Sequence, residues 1–274
     1  MPFSSPRFIG LCSFLSVSCA IAQPTSKPPA PHTAQLGGLQ WELGLTAYQE
    51  TYREVGSGGQ RIMQEKAAMA GVQARVTLPL NLQWSARLSA EYARGESKYT
   101  GSAWGGSYGS LHASGIGREK IQAQAEILFR PPTWDTTTLT AGLLARRLND
   151  ALDRLPAGYE RTNTGYFGTL GVEQHVALSH GWALRPAIQY LHLLDGTQKA
   201  ALDGGLRLKQ KKGHGWEASA TFQQLRADGS GLQIRPFWRY FKMGASETVD
   251  ASSASYIEPE NSTRELGVDL RWKF

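Results

Sequence analysis

Cysteine is almost missing from this 274-residue sequence, and its absence removes several kinds of chemistry. The only two cysteines, Cys12 and Cys19, lie close to the N-terminus, inside a segment that we expect to be cleaved off. The rest of the chain then has no disulfide, no cysteine-ligated metal and no cysteine nucleophile.

Long apolar runs and dense charge blocks are also missing. No stretch of about 18 consecutive apolar residues occurs, so the sequence predicts no transmembrane helix. Lysine and arginine number 29 against 23 acidic residues, and the net charge of +6 is spread along the chain. We therefore expect no nucleic acid partner, because nucleic acid sites concentrate basic residues on one surface.

The N-terminus has the layout of a secretory signal peptide. Arg7 precedes a mostly apolar run from Phe8 to Ala22, which ends in Ala20-Ile21-Ala22, an A-x-A cleavage pattern. We predict a signal peptide over residues 1–22 and a flexible, Pro/Ser/Gln-rich lead-in over 23–38. Two alternatives remain open: a lipoprotein signal that ends at Cys19, and an uncleaved anchor, for which the run is short.

From residue 39 to the C-terminus, apolar and polar residues alternate with a period of two. In the last segment, Leu266, Val268, Leu270, Trp272 and Phe274 alternate with polar residues and glycine. Similar alternation occurs within residues 39–46, 70–78, 82–92, 121–129, 139–145 and 166–178. Such strands have one buried and one polar face, which fits both a soluble sandwich and a barrel in lipid.

Three features favour the barrel. Short turns, such as Pro79-Leu80-Asn81, alternate with long polar loops, for which we take residues 95–117 and 246–262. Trp84, Trp182 and Trp272 lie on the apolar face next to short turns or the C-terminus, as in the aromatic girdle of membrane barrels. The chain also ends on Phe274, and we predict that Phe274, Trp272 and Leu270 form the signal for the barrel-assembly machinery.

The register of two long segments fixes the predicted strand number. Apolar residues keep even numbers from Trp182 to Leu202 and from Leu206 to Phe222, without a slip at Asp195-Gly196 or Lys211-Lys212. We read each as one long strand. The prediction is an all-β fold, a transmembrane antiparallel up-and-down barrel of ten strands over residues 39–274. Its location is the bacterial outer membrane, with both termini periplasmic. Twelve strands is the alternative.

Three segments also resemble a known group of proteins. They are WELGLTAYQETYRE at 41–54, GYERTNTGYFGTLGVEQHVAL at 158–178, and IRPFWRYFKMGASE with EPENSTRELGVDLRWKF over 234–247 and 258–274. The chain is similar here to a family of small Gram-negative outer-membrane β-barrel proteins without an assigned activity. The resemblance extends over 39–274, supports ten strands, and implies no reaction.

The polar face of the strands carries charges of both signs. We predict that the following residues point into the lumen: Glu42, Arg75, Arg87, Glu91, Lys120, Glu126, Arg146, Glu173, Arg185, Arg207, Glu217, Glu265, Asp269, Arg271 and Lys273. Mixed charges in a narrow lumen favour ion pairs, for instance of Arg87 or Arg75 with Glu91 or Glu42. We expect a largely charge-plugged barrel, with a small pore as the alternative.

Functional residues are then expected in the loops. Tyr99, Trp104 and Tyr108 stand among glycine and serine within residues 95–117, a composition that suits a contact surface. The expected partners are outer-membrane lipid, lipopolysaccharide and an unknown extracellular ligand, without a cofactor. We predict a non-enzymatic protein. The alternative is a lipid hydrolase of the lipid A deacylase or phospholipase type, for which His112 and Ser114 have a suitable spacing.

Overall fold

The computed structural model describes residues 38–102, 106–134, 136–155, 158–251 and 254–274. The predicted signal peptide and nearly all of the lead-in lie outside these residues. The strands are β1 (Gln40–Val55), β2 (Arg61–Pro79), β3 (Trp84–Gly101), β4 (Leu111–Phe129), β5 (Thr137–Ala151), β6 (Glu160–Gln174), β7 (Val176–Ala177), β8 (Trp182–Ala200), β9 (Leu206–Gln210), β10 (Gly213–Leu225), β11 (Gly231–Met243), β12 (Val249–Asp250), β13 (Ser255–Tyr256) and β14 (Glu260–Lys273).

The long strands close into an antiparallel barrel. β1 pairs with both β2 and β14, and the circle is completed by β11 and β10, which pairs with β8. β7 continues β6, and β9 continues β10, because the pairing with β8 keeps the same register across the junction between the two segments in each case. The barrel therefore has ten strands, as predicted, and the twelve-strand alternative is wrong. β12 and β13 form a separate hairpin.

The outer part of the β8–β9 pair corrects one prediction about faces. Leu194 and Asp195 are both exposed on β8, and Lys211 and Lys212 are both exposed between β9 and β10. Each strand therefore has two adjacent outward residues at this level, and the alternation of inward and outward side chains shifts by one residue. Because the shift occurs in both strands, the pairing of β8 with β9 and β10 stays in register. Above this level Leu206 and Leu208 therefore point inward, whereas Arg207, expected in the lumen, is exposed.

Two connections are shorter than the polar loops that the sequence suggested. β3 continues to Gly101 and β4 begins at Leu111, so the loop covers 102–110 rather than 95–117. An extra residue in β4, Gly115, interrupts the alternation there and adopts a φ of +74°, which favours glycine. The expected loop 246–262 contains the β12–β13 hairpin, and β14 begins at Glu260.

Both described ends of the barrel chain lie at one edge, which we call the termini end. There the backbone N–H of Phe274 donates to the carbonyl of Trp41 at 2.9 Å. The turns 80–83, 130–136, 175–181 and 226–230 lie at the same edge. The opposite edge, the loop end, carries the connections 56–60, 102–110, 152–159, 201–205 and 244–259.

The outer surface is divided into an apolar band and a polar collar. On β3 the outward residues are apolar from Trp84 to Tyr92, and become charged at Arg94 and Glu96. The other long strands follow the same order from the termini end. About nine to eleven tilted residues cross a bilayer, so the strands project beyond the apolar band at the loop end. None of the described residues belongs to a helix long and apolar enough to span a membrane.

Candidate functional site in the barrel interior

Six of the predicted lumen charges, at the termini end and in the middle of the barrel, face inward: Glu42, Arg75, Arg87, Glu91, Glu126 and Arg185. Each holds the inward parity of its strand, even on β1 and β4 and odd on β2, β3 and β8. Successive strand residues point to opposite sides of a sheet, so parity alone assigns their direction. In the structure, these side chains lie close to acidic and basic side chains that other strands of the barrel carry.

The layer nearest the termini end contains two groups of ion pairs. Arg87 contacts Glu126 at 2.8 Å and Glu173 at 2.6 Å. Arg75 and Arg271 share Glu42, at 3.6 and 2.9 Å. The expected pair of Arg75 with Glu42 is therefore present, but Arg87 pairs with two glutamates other than Glu91.

The middle layer is centred on a lysine. Lys120 has no exposed side-chain surface, and its Nζ lies 2.8 Å from carboxylate oxygens of both Glu91 and Glu265. Arg239 contacts the same two glutamates, at 3.0 and 3.2 Å. Each cation thus bridges two anions, so the layer is one connected network in which removal of a single member leaves opposite charges unbalanced.

The layer toward the loop end is the most acidic. Arg118 contacts Glu50, Glu65 and Asp150 at 2.7, 2.6 and 3.2 Å. Arg161 contacts Glu65 and Asp150 at 3.4 and 2.6 Å, and also pairs with Glu54. This layer stands at the height of the polar collar, beyond the apolar band.

Sequence reasoning missed part of this network. The additional inward residues are Glu50, Glu54, Glu65, Arg118, Asp150, Arg161, Arg235 and Arg239. A usable signal was present, since Glu50 and Glu54 share the even parity of Glu42 on one strand. The alternation was followed only within the apolar stretches, and these residues lie mainly where the outward face has turned polar.

Apolar side chains also enter the lumen, which the sequence analysis did not predict. Tyr48, Phe237 and Phe241 are buried within inward clusters. Lys120 Nζ lies 4.3 Å from the ring centre of Tyr48, and the Arg239 guanidinium lies 4.2 Å from that of Phe237. The rings thus cover the buried cations with their negative faces. Consecutive aromatic residues on β11 were the sequence signal, because they place rings on both faces.

The connection 244–259 closes over the loop end through Glu258. This carboxylate accepts hydrogen bonds from Tyr52 Oη at 3.2 Å, from Asn261 Nδ2 at 3.3 Å and from Gln198 Nε2. The backbone N–H of Glu258 also donates to Ser246 Oγ at 2.8 Å. All of these donors are neutral. Burial, with the nearby Glu54, raises the pKa of Glu258 well above its ordinary value.

The space left inside the barrel is small. Cavities of about 50 and 30 Å³ lie between the charged layers of the termini end and middle. A larger open cleft of about 530 Å³ lies outside, at the height of the polar collar between β3 and β5, and is lined by Arg94, Glu96, Glu119 and Arg154 among others. Among the described residues, no group of three or more His, Cys, Asp or Glu side chains is placed to hold a metal ion.

The loop candidates have different positions. Tyr99 belongs to β3 and is only 9% exposed, packed inside the barrel with Tyr52 and Met63. The expectation that Tyr99 forms a loop contact is therefore wrong, since its strand is longer than predicted. Tyr108 is 38% exposed and lies over the guanidinium of Arg61. Trp104 lies outside the described residues.

The histidine–serine pair of the hydrolase alternative lies on β4 rather than in a loop. His112 and Ser114 are both exposed. Nδ1 of His112 lies 3.3 Å from Oγ1 of Thr100, a neighbour that cannot orient a catalytic imidazole as a carboxylate does.

The predicted assembly residues all lie on the outer face of β14 or just after it. Leu270 and Phe274 are exposed, and Trp272 is half-buried opposite Leu43 and Leu232 on the neighbouring strands. The Trp84 ring, at the same end of the barrel, stacks on Phe129 with a centroid distance of 4.5 Å. These side chains form an aromatic rim at the termini end.

The architecture is similar to that of several solved protein structures. The outer membrane protease OmpT from Escherichia coli aligns over 87% of this chain and 97% of its own, with 12% sequence identity and a TM-score of 0.59. The fold is that of outer-membrane β-barrels. The transport unit of the autotransporter AIDA-I from Escherichia coli matches at 8% identity, with coverage of 89% and 93% and a TM-score of 0.47.

A third barrel is similar as well, the β domain of the Bordetella autotransporter BrkA. It matches at 12% identity, covering 88% of this chain and 99% of that one, with a TM-score of 0.44. No family model and no curated protein matches the sequence. At these identities the comparison establishes the fold and leaves the activity to be argued from the residues.

Proposed function

We propose that this chain is a non-enzymatic outer-membrane protein with a narrow, charge-plugged lumen, and that it acts through its extracellular loops. The observation that carries the proposal is the interior network, in which cations from one wall reach carboxylates on another. Buried charges are costly unless they are paired. Among the described residues, the paired layers enclose two small cavities, of about 50 and 30 Å³, which supports a closed lumen.

The outer surface supports one orientation of the barrel in the membrane. The apolar band lies toward the termini end, whereas the collar of projecting strands and the longer connections lie at the opposite end. Outer-membrane barrels keep short turns on the periplasmic side and long loops outside. Both termini are therefore assigned to the periplasm, and the aromatic rim to the periplasmic membrane interface.

The polar collar offers a surface for lipopolysaccharide. Its outward-facing cations are Arg53, Lys66, Arg94, Lys98, Arg147, Lys242 and Arg264. They lie just above the apolar band, at the height of the outer-leaflet headgroups, where cations attract phosphate groups. Glu96 and Glu119 are interspersed among them, so this attraction is moderate rather than strong.

The loop end also provides the contact surface that the proposal requires. Tyr108 stands above the collar on Arg61, and the 530 Å³ cleft opens beside β3 and β5. A tyrosine on an arginine and a separate mixed-charge cleft, both at the loop end, suit a polar partner, because aromatic and arginine side chains are enriched in protein interfaces.

Conductance in planar bilayers tests the proposal. The purified barrel should give low or no steady conductance, in contrast to a general porin measured in parallel. It should also release no fatty acid from phospholipid or lipid A. Large, long-lived channels would replace the closed barrel with a pore. Lipid hydrolysis that disappears in His112→Ala or Ser114→Ala would show that the protein is an enzyme.

A further inference from the structure

The termini end of the lumen has more cations than carboxylates. Among the described residues, the cations are Arg75, Arg87, Arg185, Arg271 and Lys273, and the carboxylates are Glu42, Glu126 and Glu173. Of these cations, Arg87 is the one that forms ion pairs with Glu126 and Glu173 in the described part of the chain. Arg75, Arg185 and Arg271 lie close to Glu42, and Arg75 and Arg185 also lie close to Glu173. Arg75 and Lys273 are the direct neighbours of Glu42 on the flanking strands.

Several of these cations have buried nitrogen atoms without a partner. Arg271 is 1% exposed, and its Nε–H and Nη2–H groups donate to no acceptor among the described residues. The Nε–H groups of Arg75 and Arg185 likewise donate to no acceptor among the described residues. Arg185 forms no ion pair within the described part of the chain. An unpaired buried donor is costly, so a group that accepts hydrogen bonds here would be strongly favoured.

A cavity is present where an acceptor is needed. The charged residues that line the space of about 50 Å³ are four arginines, Arg75, Arg87, Arg185 and Arg235, and three carboxylates, Glu126, Glu173 and Glu217, so the cations exceed the carboxylates by one. This volume exceeds the roughly 10–15 Å³ that a cavity needs to admit one water, so the space can admit a group of a few oxygen atoms, such as a small oxyanion. These side chains point inward, so the barrel wall separates them from the headgroups of the surrounding lipid.

The turn at this mouth feels the same positive field. His175 lies between β6 and β7 at the termini end, and burial together with Arg185 and Arg130 lowers its pKa. Burial is the largest cause of this shift, and the two arginines that add to it place positive charge at the mouth, which attracts anions from solution.

We propose that the termini end of the lumen is a binding site for a small free oxyanion of the phosphate class. Arg75 and Arg185, which line the cavity, donate to its oxygens. Arg271, paired with Glu42, adds positive charge beside the site, and Glu42 limits the affinity by charge repulsion. The site stands whether the loops or the lumen carry the function of the protein, so a negative result here leaves the closed-barrel proposal intact.

Calorimetric titration with inorganic phosphate tests the site in the full barrel, folded in a phosphate-free maltoside detergent at constant ionic strength. Wild-type protein should show saturable binding to one site, and sodium chloride at the same concentration should show none. Arg185→Gln should weaken phosphate binding by about tenfold or more, since one charge-assisted hydrogen bond is lost. Arg185 forms no ion pair in the described chain, so this variant should fold.

Two further variants test whether phosphate binds at the termini end of the lumen. Arg94→Gln removes an exposed, outward-facing arginine of the polar collar and should leave phosphate binding unchanged. Glu42→Gln removes the carboxylate within the cluster and should tighten binding. The proposal is overturned by a lack of saturable phosphate binding, by equal binding of chloride, or by an Arg185→Gln affinity equal to that of wild type.

Discussion

At the scale of single residues, the barrel interior is held by cations that each serve more than one carboxylate. Lys120 shows this most simply, because its only ammonium group contacts Glu91 and Glu265 at the same distance, 2.8 Å. Its side chain is also fully buried and lies over the Tyr48 ring. No water can take over its role, so its removal leaves two carboxylates without this partner in a medium that solvates them poorly.

We therefore expect Lys120→Met to lower the free energy of unfolding by about 3–5 kcal/mol, the usual cost of breaking a buried ion pair from one side. Urea unfolding of the barrel in lipid vesicles, followed by tryptophan fluorescence, measures this change. The matched control is Lys98→Met, which removes an exposed lysine of β3 and should change stability by less than about 0.5 kcal/mol. Equal effects of the two variants would contradict the network.

At the scale of elements, the connection 244–259 is attached to the barrel through Glu258, an acidic residue whose hydrogen-bond donors are all neutral. Since burial and Glu54 raise the pKa of Glu258 above its ordinary value of 4.5, its protonated form is favoured in the folded chain. The stability that Glu258 contributes is fully present below about pH 4.5 and is lost as the pH rises through the raised pKa. The connection should therefore loosen as the pH rises.

Hydrogen exchange of a peptide covering 244–259, measured across a pH series after correction for intrinsic rates, tests this behaviour. Protection should fall as the pH rises, and Glu258→Gln should abolish that fall. Glu247→Gln is the matched control from the same connection, because Glu247 is exposed and Lys211 lowers its pKa. Protection should still fall with rising pH in Glu247→Gln. If the fall disappeared in that variant, Glu247 rather than Glu258 would be the responsible group, and the prediction would be wrong.

The C-terminal strand carries a separate prediction. The outward residues Leu270, Trp272 and Phe274 lie on the strand that closes the barrel against β1. We expect Phe274→Asp to reduce the folded protein in outer-membrane fractions severely, and Phe274→Tyr to be tolerated. Fractionation followed by electrophoresis of unheated samples measures folding, because a closed barrel migrates differently from an unfolded chain. Normal levels of folded Phe274→Asp would refute the assembly signal.

How far the sequence predicted these elements depended on the apolar band. Where the outer face meets lipid, as from Trp84 to Tyr92, the two-residue period is clear and gave both the strands and their faces. In the polar collar both faces are polar or mixed, and the period is weak. The bulges at Gly115 and at Leu194-Asp195 lie in this region. There the sequence analysis ended β3 too early and assigned Arg207 to the wrong face.

The sequence predicted which charged residues face the interior, but it did not predict which of them form ion pairs with one another. Parity identified Arg87 and Glu126 as inward, yet the partner of Arg87 on the far wall, Glu173, lies 86 positions along the chain. Such contacts depend on strand tilt and barrel curvature, which no local pattern encodes. Inward aromatic rings such as Phe237 were missed because apolar residues were assigned to the outer face.

At the scale of the whole molecule, the apolar band, the ionic interior and the polar collar define one direction across the membrane. The acidic layer and the connection 244–259 lie at the loop end, and the cation-rich layer lies at the termini end. If the short turns face the periplasm, the loops and the collar reach the cell surface and the oxyanion site opens inward. The central claim is thus a ten-stranded barrel with this orientation.

Cysteine labelling on intact cells tests that claim most directly. The chain after Cys19 contains no cysteine, so Ser57→Cys in the connection 56–60 and Ala227→Cys in the turn 226–230 each carry one exposed thiol. A membrane-impermeant maleimide should label the residue-57 variant on intact cells and the residue-227 variant only after lysis. Labelling of the residue-227 variant on intact cells, with protection of the residue-57 variant, would contradict the account.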